Sequence, residues 1–249
     1  MGTNVGTAVI LAAGMGTRLK DMGREAPKGF LRLGAKTIIE ESLDKLRCCG
    51  ARRVILVSGH LSGMYDELAA ETDGFAVTIK NEVFAASGSG YSLYLARRLL
   101  APDEDFFLLE SDLIYERRAL EVLREDPRPD IILLSGKTSS GDEVYVETRG
   151  GNLVAMAKDR AALGPGIEGE LVGISKISAR LYTAYCVAVE RLFKTSLEVE
   201  YEAGLTETAK TCPIPCRLVP DLAWAEIDDE RHLARARELV YAKTIEAEI

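Results

Sequence analysis

The sequence predicts an α/β protein with a mostly parallel sheet that is covered by helices on both faces. Over the first 135 residues, short apolar segments alternate with amphipathic segments, as in successive β-α units. The apolar segments lack the polar–apolar alternation of a half-exposed strand, which is typical of parallel strands buried on both faces. The length of 249 residues is sufficient for one domain with a substantial core.

The elements of the first half follow from these patterns. Residues 7–11 (TAVIL) are apolar and β-branched and form the first predicted strand. Residues 37–49 carry apolar side chains at helical spacing, with Thr37 suited to the N-cap and Gly50 to the end of the helix. By the same criteria, strands are predicted at residues 53–57, 75–79, 106–109 and 131–134, and helices at residues 91–100 and 119–124.

The pattern changes after Gly136. Residues 143–148 and 153–157 alternate polar and apolar side chains on either side of Arg-Gly-Gly-Asn, which predicts a β-hairpin. The remaining predictions are a strand at residues 170–177, a helix at 179–193, a partly helical polar segment at 198–210, a short strand at 224–227 and a final helix from about Glu230.

Composition excludes several kinds of protein. The net charge of −8 argues against a general affinity for nucleic acid, and no apolar run approaches the roughly 20 residues that span a bilayer. Residues 1–6 are polar and few, so we expect no signal peptide. Five cysteines, an odd number, then indicate reduced thiols and a cytoplasmic protein.

A glycine-containing loop at residues 11–19 (LAAGMGTRL) directly follows the first strand. Gly14 and Gly16 allow successive backbone N–H groups to turn toward one anion, although a glycine pair alone also occurs in plain strand–helix turns. Arg18 adds a charged fork for phosphate oxygens, and Lys28 adds a second cation. The loop lacks the Gly-Lys-Ser/Thr ending of a Walker A loop and the third glycine of a dinucleotide-binding loop. It therefore predicts a phosphate site of another kind.

Carboxylates follow two of the predicted strands. Asp112 comes after the strand at residues 106–109, where a carboxylate facing a phosphate group suits magnesium, a hard cation that prefers oxygen ligands. The alternative is that Asp112 caps a following helix. Near the C-terminus, Glu226 and Asp228 share one face of a strand, and Asp229 is suited to the N-cap of the last helix.

The first strand, the loop LAAGMGTRL and the Pro-Lys pair at residues 27–28 resemble the beginning of the sugar-phosphate nucleotidyltransferase superfamily. The resemblance implies a Rossmann-like fold in which Arg18 and Lys28 are catalytic and Mg²⁺ is bound by Asp112 and Asp228. It also implies that the nucleotide contacts the glycine loop, through Leu11, Ala12, Ala13, Gly14, Met15, Gly16 and Thr17, and that Ser111 lies beside it.

Further segments are similar to the small cytidylyltransferases that act on phosphocholine or 2-aminoethylphosphonate. They are residues 92–97 (SLYLAR), 171–177 (LVGISKI) and 224–236 (WAEIDDERHLARA). The similarity implies that CTP is the nucleotide and that a small phosphorylated or phosphonate compound is the acceptor. The loop at residues 85–91 would then contact the base, through Ser87, Gly88 and Ser89; the alternative is a flexible loop before a helix.

The acceptor is predicted from composition. With one Trp and six Phe in the chain, an aromatic cage for a trimethylammonium group is not evident. The second half is rich in carboxylates, which suit a primary ammonium group. The sequence therefore favours 2-aminoethylphosphonate over phosphocholine. The candidate acceptor-binding residues are Tyr91, Glu170, Gly173 and Glu226.

These inferences divide a single nucleotidyltransferase domain, residues 1–249, into three portions. Residues 1–135 form the nucleotide-binding core, residues 136–222 form a smaller acceptor-binding portion of hairpin and helices, and residues 223–249 form the metal-site strand and the C-terminal helix. The sequence is also compatible with a homodimer and with fusion to another domain.

Two other functions fit part of the pattern. A sugar-1-phosphate nucleotidyltransferase that uses UTP, GTP or dTTP would share the phosphate chemistry. A non-catalytic nucleotide-sensing module would share the fold, but such modules tend to lose the charged site residues. All of these are present here: Arg18, Lys28, Asp112 and Asp228.

Overall fold

The first strand, β1 (Thr7–Ala12), is buried along its whole length and pairs on both sides with parallel strands. It belongs to a computed structural model that describes residues 5–19 and 21–246. The expectation of no signal peptide is based on residues 1–6, and residues 1–4 lie outside the described residues. The same holds for the last three residues of the predicted C-terminal helix.

The predicted strands and helices occur in the predicted order, with further elements between them. After β1 come α1 (Asp21–Glu25), α2 (Ile38–Cys48), β2 (Arg53–Ser58), α3 (Ser62–Ala70), β3 (Ala76–Lys80), α4 (Ser89–Leu95), β4 (Phe106–Glu110), β5 (Leu113–Tyr115), α5 (Arg118–Glu125), β6 (Ile131–Ser135), β7 (Tyr145–Arg149), β8 (Asn152–Ala157), β9 (Ile167–Ile177), α6 (Ala179–Leu192), α7 (Tyr201–Ala209), β10 (Cys216–Val219), β11 (Trp224–Glu226), α8 (Glu230–Arg235) and α9 (Tyr241–Glu246). A π-helical segment, Ala236–Val240, joins α8 to α9.

The main sheet has nine strands, and its principal path runs β10-β6-β9-β4-β1-β2-β3. Along this path only β9 is antiparallel to its neighbours, so the predicted mostly parallel sheet is confirmed. Strands β7 and β8 form the predicted hairpin, and β7 also pairs with β9. Strands β5 and β11 form a separate two-stranded antiparallel sheet.

Both faces of the sheet are covered, as the sequence predicts. Alternate side chains of β1 enter different cores because successive residues of a strand face opposite sides. Ile10 packs in one core with side chains of α2 and α5, whereas Val9 packs in the other with side chains of α4, α6 and α7. No helix in the described part of the chain is long and apolar enough to cross a membrane.

The parallel strands end beside one another at one edge of the sheet. Leu11 of β1 is in register with Glu110 of β4, and Ala12 is in register with Ser58 of β2. Loops that follow such strand ends are the usual ligand-binding positions in this class of fold. The glycine loop and the segment around Asp112 therefore meet at the same edge.

Several elements differ from the predictions, and one is the short helix α1 (Asp21–Glu25), which the sequence patterns do not predict. Asp112 does not cap a helix, because the next residues form β5. Helix α3 was not predicted; it begins after Leu61, which has a left-handed backbone with φ of 52°, and only Tyr65 in it is buried. Strand β10 was also not predicted, because its four residues include the exposed Arg217 and carry little periodic signal.

Helix α2 begins with the predicted N-cap. The backbone N–H of Glu40 donates to Thr37 Oγ1 at 3.3 Å, and the backbone N–H of Thr37 donates to Glu40 Oε2 at 2.7 Å. This reciprocal pair is a capping box. We expect Thr37→Ala to lower the free energy of unfolding by about 1 kcal/mol, the usual cost of losing such a cap.

Denaturant unfolding of the variant and the wild type would measure this difference. Thr183→Ala is the matched control, since Thr183 is exposed within α6 and its hydroxyl donates to a carbonyl of its own helix. The control should change the free energy of unfolding by less than about 0.5 kcal/mol. Equal stability of Thr37→Ala and the wild type would contradict a stabilising cap.

Candidate active site

A cleft of about 410 Å³ opens at the carboxyl edge of the sheet. The glycine loop forms one wall, and the segment before α4 forms another. Most of the predicted nucleotide-binding residues line the cleft: Leu11, Ala12, Ala13, Gly14, Met15, Ser87, Gly88, Ser89 and Ser111. The structure therefore brings two distant parts of the sequence to one cavity.

The glycine loop turns sharply at Gly16, whose φ is +60°, in the left-handed region that favours glycine. A short 3₁₀ helix (Thr17–Leu19) follows, and the N–H of Leu19 donates to Gly16 O at 3.0 Å. Gly16 and Thr17 are the two loop candidates that do not line the cleft, whereas Arg18 does. The turn thus serves to place Arg18 at the cleft wall.

Alternating charges cross the cleft in a continuous network. Lys28 Nζ lies 2.6 Å from Asp112 Oδ2 and 2.6 Å from Asp228 Oδ1. Arg18 Nη2 lies 2.6 Å from the same Asp228 oxygen, and Arg18 Nη1 lies 2.8 Å from Asp142 Oδ2. Lys158 Nζ completes the network, 2.8 Å from Asp142 Oδ1. All four residues predicted to be catalytic or metal-binding therefore lie within one group of contacts.

Lys28 is held charged by this arrangement. Burial alone would lower its pKa, but the charges of Asp112 and Asp228, and the hydrogen bonds to them, outweigh burial and raise the pKa above the usual range for lysine. The side chain is only 16% exposed. Lys28 is therefore a fixed positive charge inside the cleft.

Three carboxylates lie close enough together to hold one metal ion. Glu110, Asp112 and Glu226 each offer an oxygen within 4.8 Å of the other two. Burial, together with the charges of Asp112 and Asp228, raises the pKa of Glu226 to about 9. Asp228 Oδ2 is buried and accepts no hydrogen bond from the described residues. A divalent cation suits this surplus of buried carboxylate oxygen.

The pairing of β5 with β11 brings the distant aspartates together. Leu113 is in register with Glu226, and the N–H of Ile227 donates to Asp112 O at 3.1 Å. Asp228, the next residue, is thereby placed beside Asp112. Asp229 caps α8 as predicted, because its Oδ1 accepts from the N–H of His232 at 2.7 Å.

The wall formed by residues 87–90 is held from two sides. Asn81 Nδ2 donates to Ser87 Oγ at 2.9 Å and to Ser92 Oγ at 3.1 Å. On the other side, the N–H groups of Gly88 and Gly90 donate to carbonyls of residues 197 and 199. A Cβ atom at Gly88 would collide with the carbonyl oxygen of Val199, so the close approach requires glycine.

A second, smaller cavity adjoins the cleft, and we call it the side chamber. Its volume is about 60 Å³, and it shares Glu110, Lys158, Glu202 and Glu226 with the cleft. Its remaining wall comes from residues 138–144, from β9 and from the C-terminal segment that contains Trp224, His232 and Arg235.

The predicted acceptor-binding residues separate into two groups. Glu226 and Gly173 line the side chamber, and Gly173 has φ of +80° and would place a Cβ 2.8 Å from Glu110 Oε1. Tyr91 instead packs on Tyr94 and Phe193, so its ring lies outside both cavities. Glu170 is buried and does not line them either. Its Oε2 accepts from the backbone N–H and the hydroxyl of Thr138, which fixes the chain after β6.

The sequence patterns do not identify several residues of the site. Glu110 reads as the last residue of a strand, and Asp142 and Lys158 read as surface charges flanking a hairpin. Glu110 is distinguished by burial, which raises its pKa well above the usual range, assisted by the charges of Glu226 and Glu202. Asp142 and Lys158 are distinguished by their contact with each other and by that of Asp142 with Arg18. Trp224 and His232 lie in the segment at residues 224–236, which is similar to small cytidylyltransferases, but no feature of the sequence indicates that they line a cavity.

Comparison with known proteins also indicates a nucleotidyltransferase fold. The family described as MobA-like NTP transferase domain matches residues 8–204. The chain is 27% identical over 248 residues to a bifunctional IPC transferase and DIPP synthase from Aquifex aeolicus, which covers 97% of this chain and 53% of that protein. It is 29% identical over 155 residues to a choline-phosphate cytidylyltransferase from Streptococcus pneumoniae, covering 59% of this chain and 67% of that protein. The chain thus spans about half the length of the Aquifex protein.

Among solved structures, the inositol-1-phosphate CTP transferase from T. maritima superposes with a TM-score of 0.82 at 19% sequence identity. The superposition covers 99% of this chain and 98% of the other. At this identity the match shows a shared fold, and it confirms the Rossmann-like nucleotidyltransferase architecture for nearly the whole chain.

Proposed function

The chain belongs to the family of MobA-like NTP transferase domains, and on that premise we propose that it is a cytidylyltransferase that transfers CMP from CTP to a small phosphate or phosphonate monoester. The observation that carries the proposal is the single cleft shared by the glycine loop, the segment at residues 87–90 and the network around Lys28. Two of its relatives are named for cytidylyl or CTP transfer, which supports CTP as the nucleotide.

The glycine loop and Arg18 would hold the triphosphate, and residues 87–90 would hold the base. The constraint of Ser87 by Asn81, and of Gly88 by Val199, favours a base site of defined shape. A preformed wall with fixed hydrogen-bonding groups favours one base over the others.

In the proposed reaction an oxygen of the acceptor's phosphate or phosphonate attacks the α-phosphorus of CTP. The new bond joins that oxygen to the α-phosphorus, the bond to the bridging oxygen breaks, and pyrophosphate leaves with the electron pair. The attacking oxygen is already anionic near neutral pH, since second ionisations of such groups lie near pH ~6. No side-chain base is required. The chain's part is to position the reactants and to place Lys28 where negative charge develops.

A magnesium ion fits the carboxylates of the cleft. Glu110, Asp112 and Glu226 would hold it, with Asp228 beside them, and its charge would neutralise phosphate oxygens. The sequence assigned the metal to Asp112 and Asp228. In the cleft, Glu110 and Glu226 each offer an oxygen within 4.8 Å of that of Asp112. We therefore propose Glu226 and Glu110 as ligands in addition to Asp112.

The side chamber is the proposed site of the acceptor's distal end. Among the described residues, Trp224 is the only Trp, Tyr or Phe that lines the chamber, which is insufficient for the aromatic cage that a trimethylammonium group requires. Phosphocholine is therefore disfavoured. 2-Aminoethylphosphonate, favoured by the sequence, is retained as one candidate because carboxylates such as Glu202 line the chamber.

Pyrophosphate release tests this function. The purified protein would be supplied with Mg²⁺ and with CTP, UTP, GTP or dTTP in turn, each with 2-aminoethylphosphonate, phosphocholine, glycerol 3-phosphate, inositol 1-phosphate or glucose 1-phosphate. We expect CTP to exceed each other nucleotide by at least about tenfold in kcat/KM, as for a base site that forms specific hydrogen bonds.

The panel also separates the alternatives. Preferred turnover of UTP, GTP or dTTP with glucose 1-phosphate would replace the proposal by a sugar-1-phosphate nucleotidyltransferase. Binding of CTP, measured by calorimetry, without pyrophosphate release from any pair would replace it by a nucleotide-sensing module.

A further inference from the structure

The side chamber contains buried polar groups without protein partners. The indole N–H of Trp224 and both ring nitrogens of His232 have no hydrogen-bond partner among residues 5–19 and 21–246. Trp224 is 9% exposed and His232 is 5% exposed. Glu202 Oε2, in the wall shared with the cleft, is also buried and lacks a partner within the described chain. Buried polar groups are rarely left in this state unless something else binds them.

Glu110 and Glu226 belong to the proposed metal site, and the other charged groups of the chamber already have protein partners. Arg235 Nη2 donates to Thr138 O at 2.7 Å, and Lys158 Nζ contacts Asp142. Glu143 Oε1 accepts from the N–H of Gly141 at 3.1 Å. The groups that remain for a ligand are therefore Trp224, His232 and Glu202, and they define what the ligand must offer.

Their chemistry is complementary to a hydroxyl group. An indole N–H only donates, so the ligand must accept a hydrogen bond there. Burial raises the pKa of Glu202 to about 7, so above that pH its carboxylate only accepts and the ligand must donate to it. A hydroxyl group does both. A primary ammonium group only donates, and a trimethylammonium group has no N–H at all.

We propose that the side chamber receives a hydroxyl-bearing distal part of the acceptor, and that Trp224 and Glu202, with His232, determine this specificity. The proposal rests on the cytidylyl transfer proposed above and narrows its acceptor to hydroxylated phosphate or phosphonate monoesters. Trp224 and Glu202 act on acceptor binding and not on the nucleotide.

A series of two-carbon phosphates isolates the distal group. With saturating CTP and Mg²⁺, 2-hydroxyethyl phosphate, 2-aminoethyl phosphate, phosphocholine and ethyl phosphate differ only at that end. We expect kcat/KM for 2-hydroxyethyl phosphate to exceed each of the others by at least about tenfold, since a site built to bind a hydroxyl strongly rejects analogues without it. Equal or better use of any of the other three would overturn the proposal.

Two variants test the named residues. Trp224→Phe removes the N–H while keeping an aromatic ring, and Glu202→Gln keeps the shape of the side chain. Each should lower the ratio of kcat/KM for 2-hydroxyethyl phosphate to that for ethyl phosphate by about tenfold, the scale of one hydrogen bond. Glu207→Gln, on the same helix but outside both cavities, is the matched control and should leave every constant unchanged.

The outcomes keep the two proposals apart. An unchanged hydroxyl preference in both variants, with wild-type melting temperatures, would overturn the role of the chamber and leave cytidylyl transfer standing. Absence of pyrophosphate release from CTP with every acceptor of both panels would overturn cytidylyl transfer, and the acceptor proposal with it.

Discussion

Replacing Lys28 by methionine should lower kcat by at least about a hundredfold at saturating CTP and acceptor. The ammonium group is enclosed by Asp112 and Asp228 at 2.6 Å each, and its pKa is held above the usual range, so it is a preorganised positive charge. Loss of one such group at a site of developing negative charge commonly costs this much. Methionine keeps the apolar stem, which limits the change to the charge and its hydrogen bonds.

Lys36→Met is the matched control for this experiment. Lys36 is about half exposed and pairs with Asp44 on α2, away from the cleft. Its replacement should leave kcat unchanged, because exposed ion pairs contribute little. A Lys28→Met protein that turns over within tenfold of the wild type would contradict the catalytic role of Lys28.

Replacing Asp112 by asparagine should have an effect of similar size, at least about a hundredfold in kcat, through a different cause. Asp112 is 7% exposed and offers one of the three oxygens that lie within 4.8 Å of one another. Asparagine keeps the shape and removes the charge that a hard cation requires. Turnover of the wild type should stop on addition of a chelator and return with excess Mg²⁺, whereas the variant should need much more Mg²⁺.

Asp44→Asn provides the control for carboxylate removal, since Asp44 is exposed on α2. It should show the wild-type dependence on Mg²⁺. If the chelator left the wild type active, or if Asp112→Asn responded to Mg²⁺ like the wild type, the carboxylates of the cleft would not be a metal site.

The parts of the site that could be predicted are those with a local signature. The glycine loop is contiguous, and its Arg18 lies at the cleft wall as expected from the motif. Asp112 and Asp228 follow buried strands, and the pairing of β5 with β11 places them together. In each case a strand end fixes the direction of the side chain that follows, so sequence position carries spatial information.

Other residues acquire their role only through tertiary packing. Glu110 lies beside the carboxylates of the proposed metal site, and Gly173 of β9, with its φ of +80°, leaves room for it. His232 has no signature of its own in the sequence, yet α8 places it in the side chamber. Conversely, the predicted acceptor-binding residues Tyr91 and Glu170 are used elsewhere in the fold. The first packs on two aromatic rings and the second holds the backbone at Thr138.

The position of β9 has a consequence for how acceptor specificity can be altered. This strand comes from the segment assigned to the acceptor, yet it lies between β4 and β6 in the main sheet and contributes Gly173 to the side chamber. A chimera that exchanged residues 136–222 with those of another protein would therefore also replace a central strand and the backbone partners of β4 and β6. Changes of acceptor are better sought by single substitutions on the chamber wall, because the segment at residues 136–222 cannot be exchanged without replacing β9 in the main sheet.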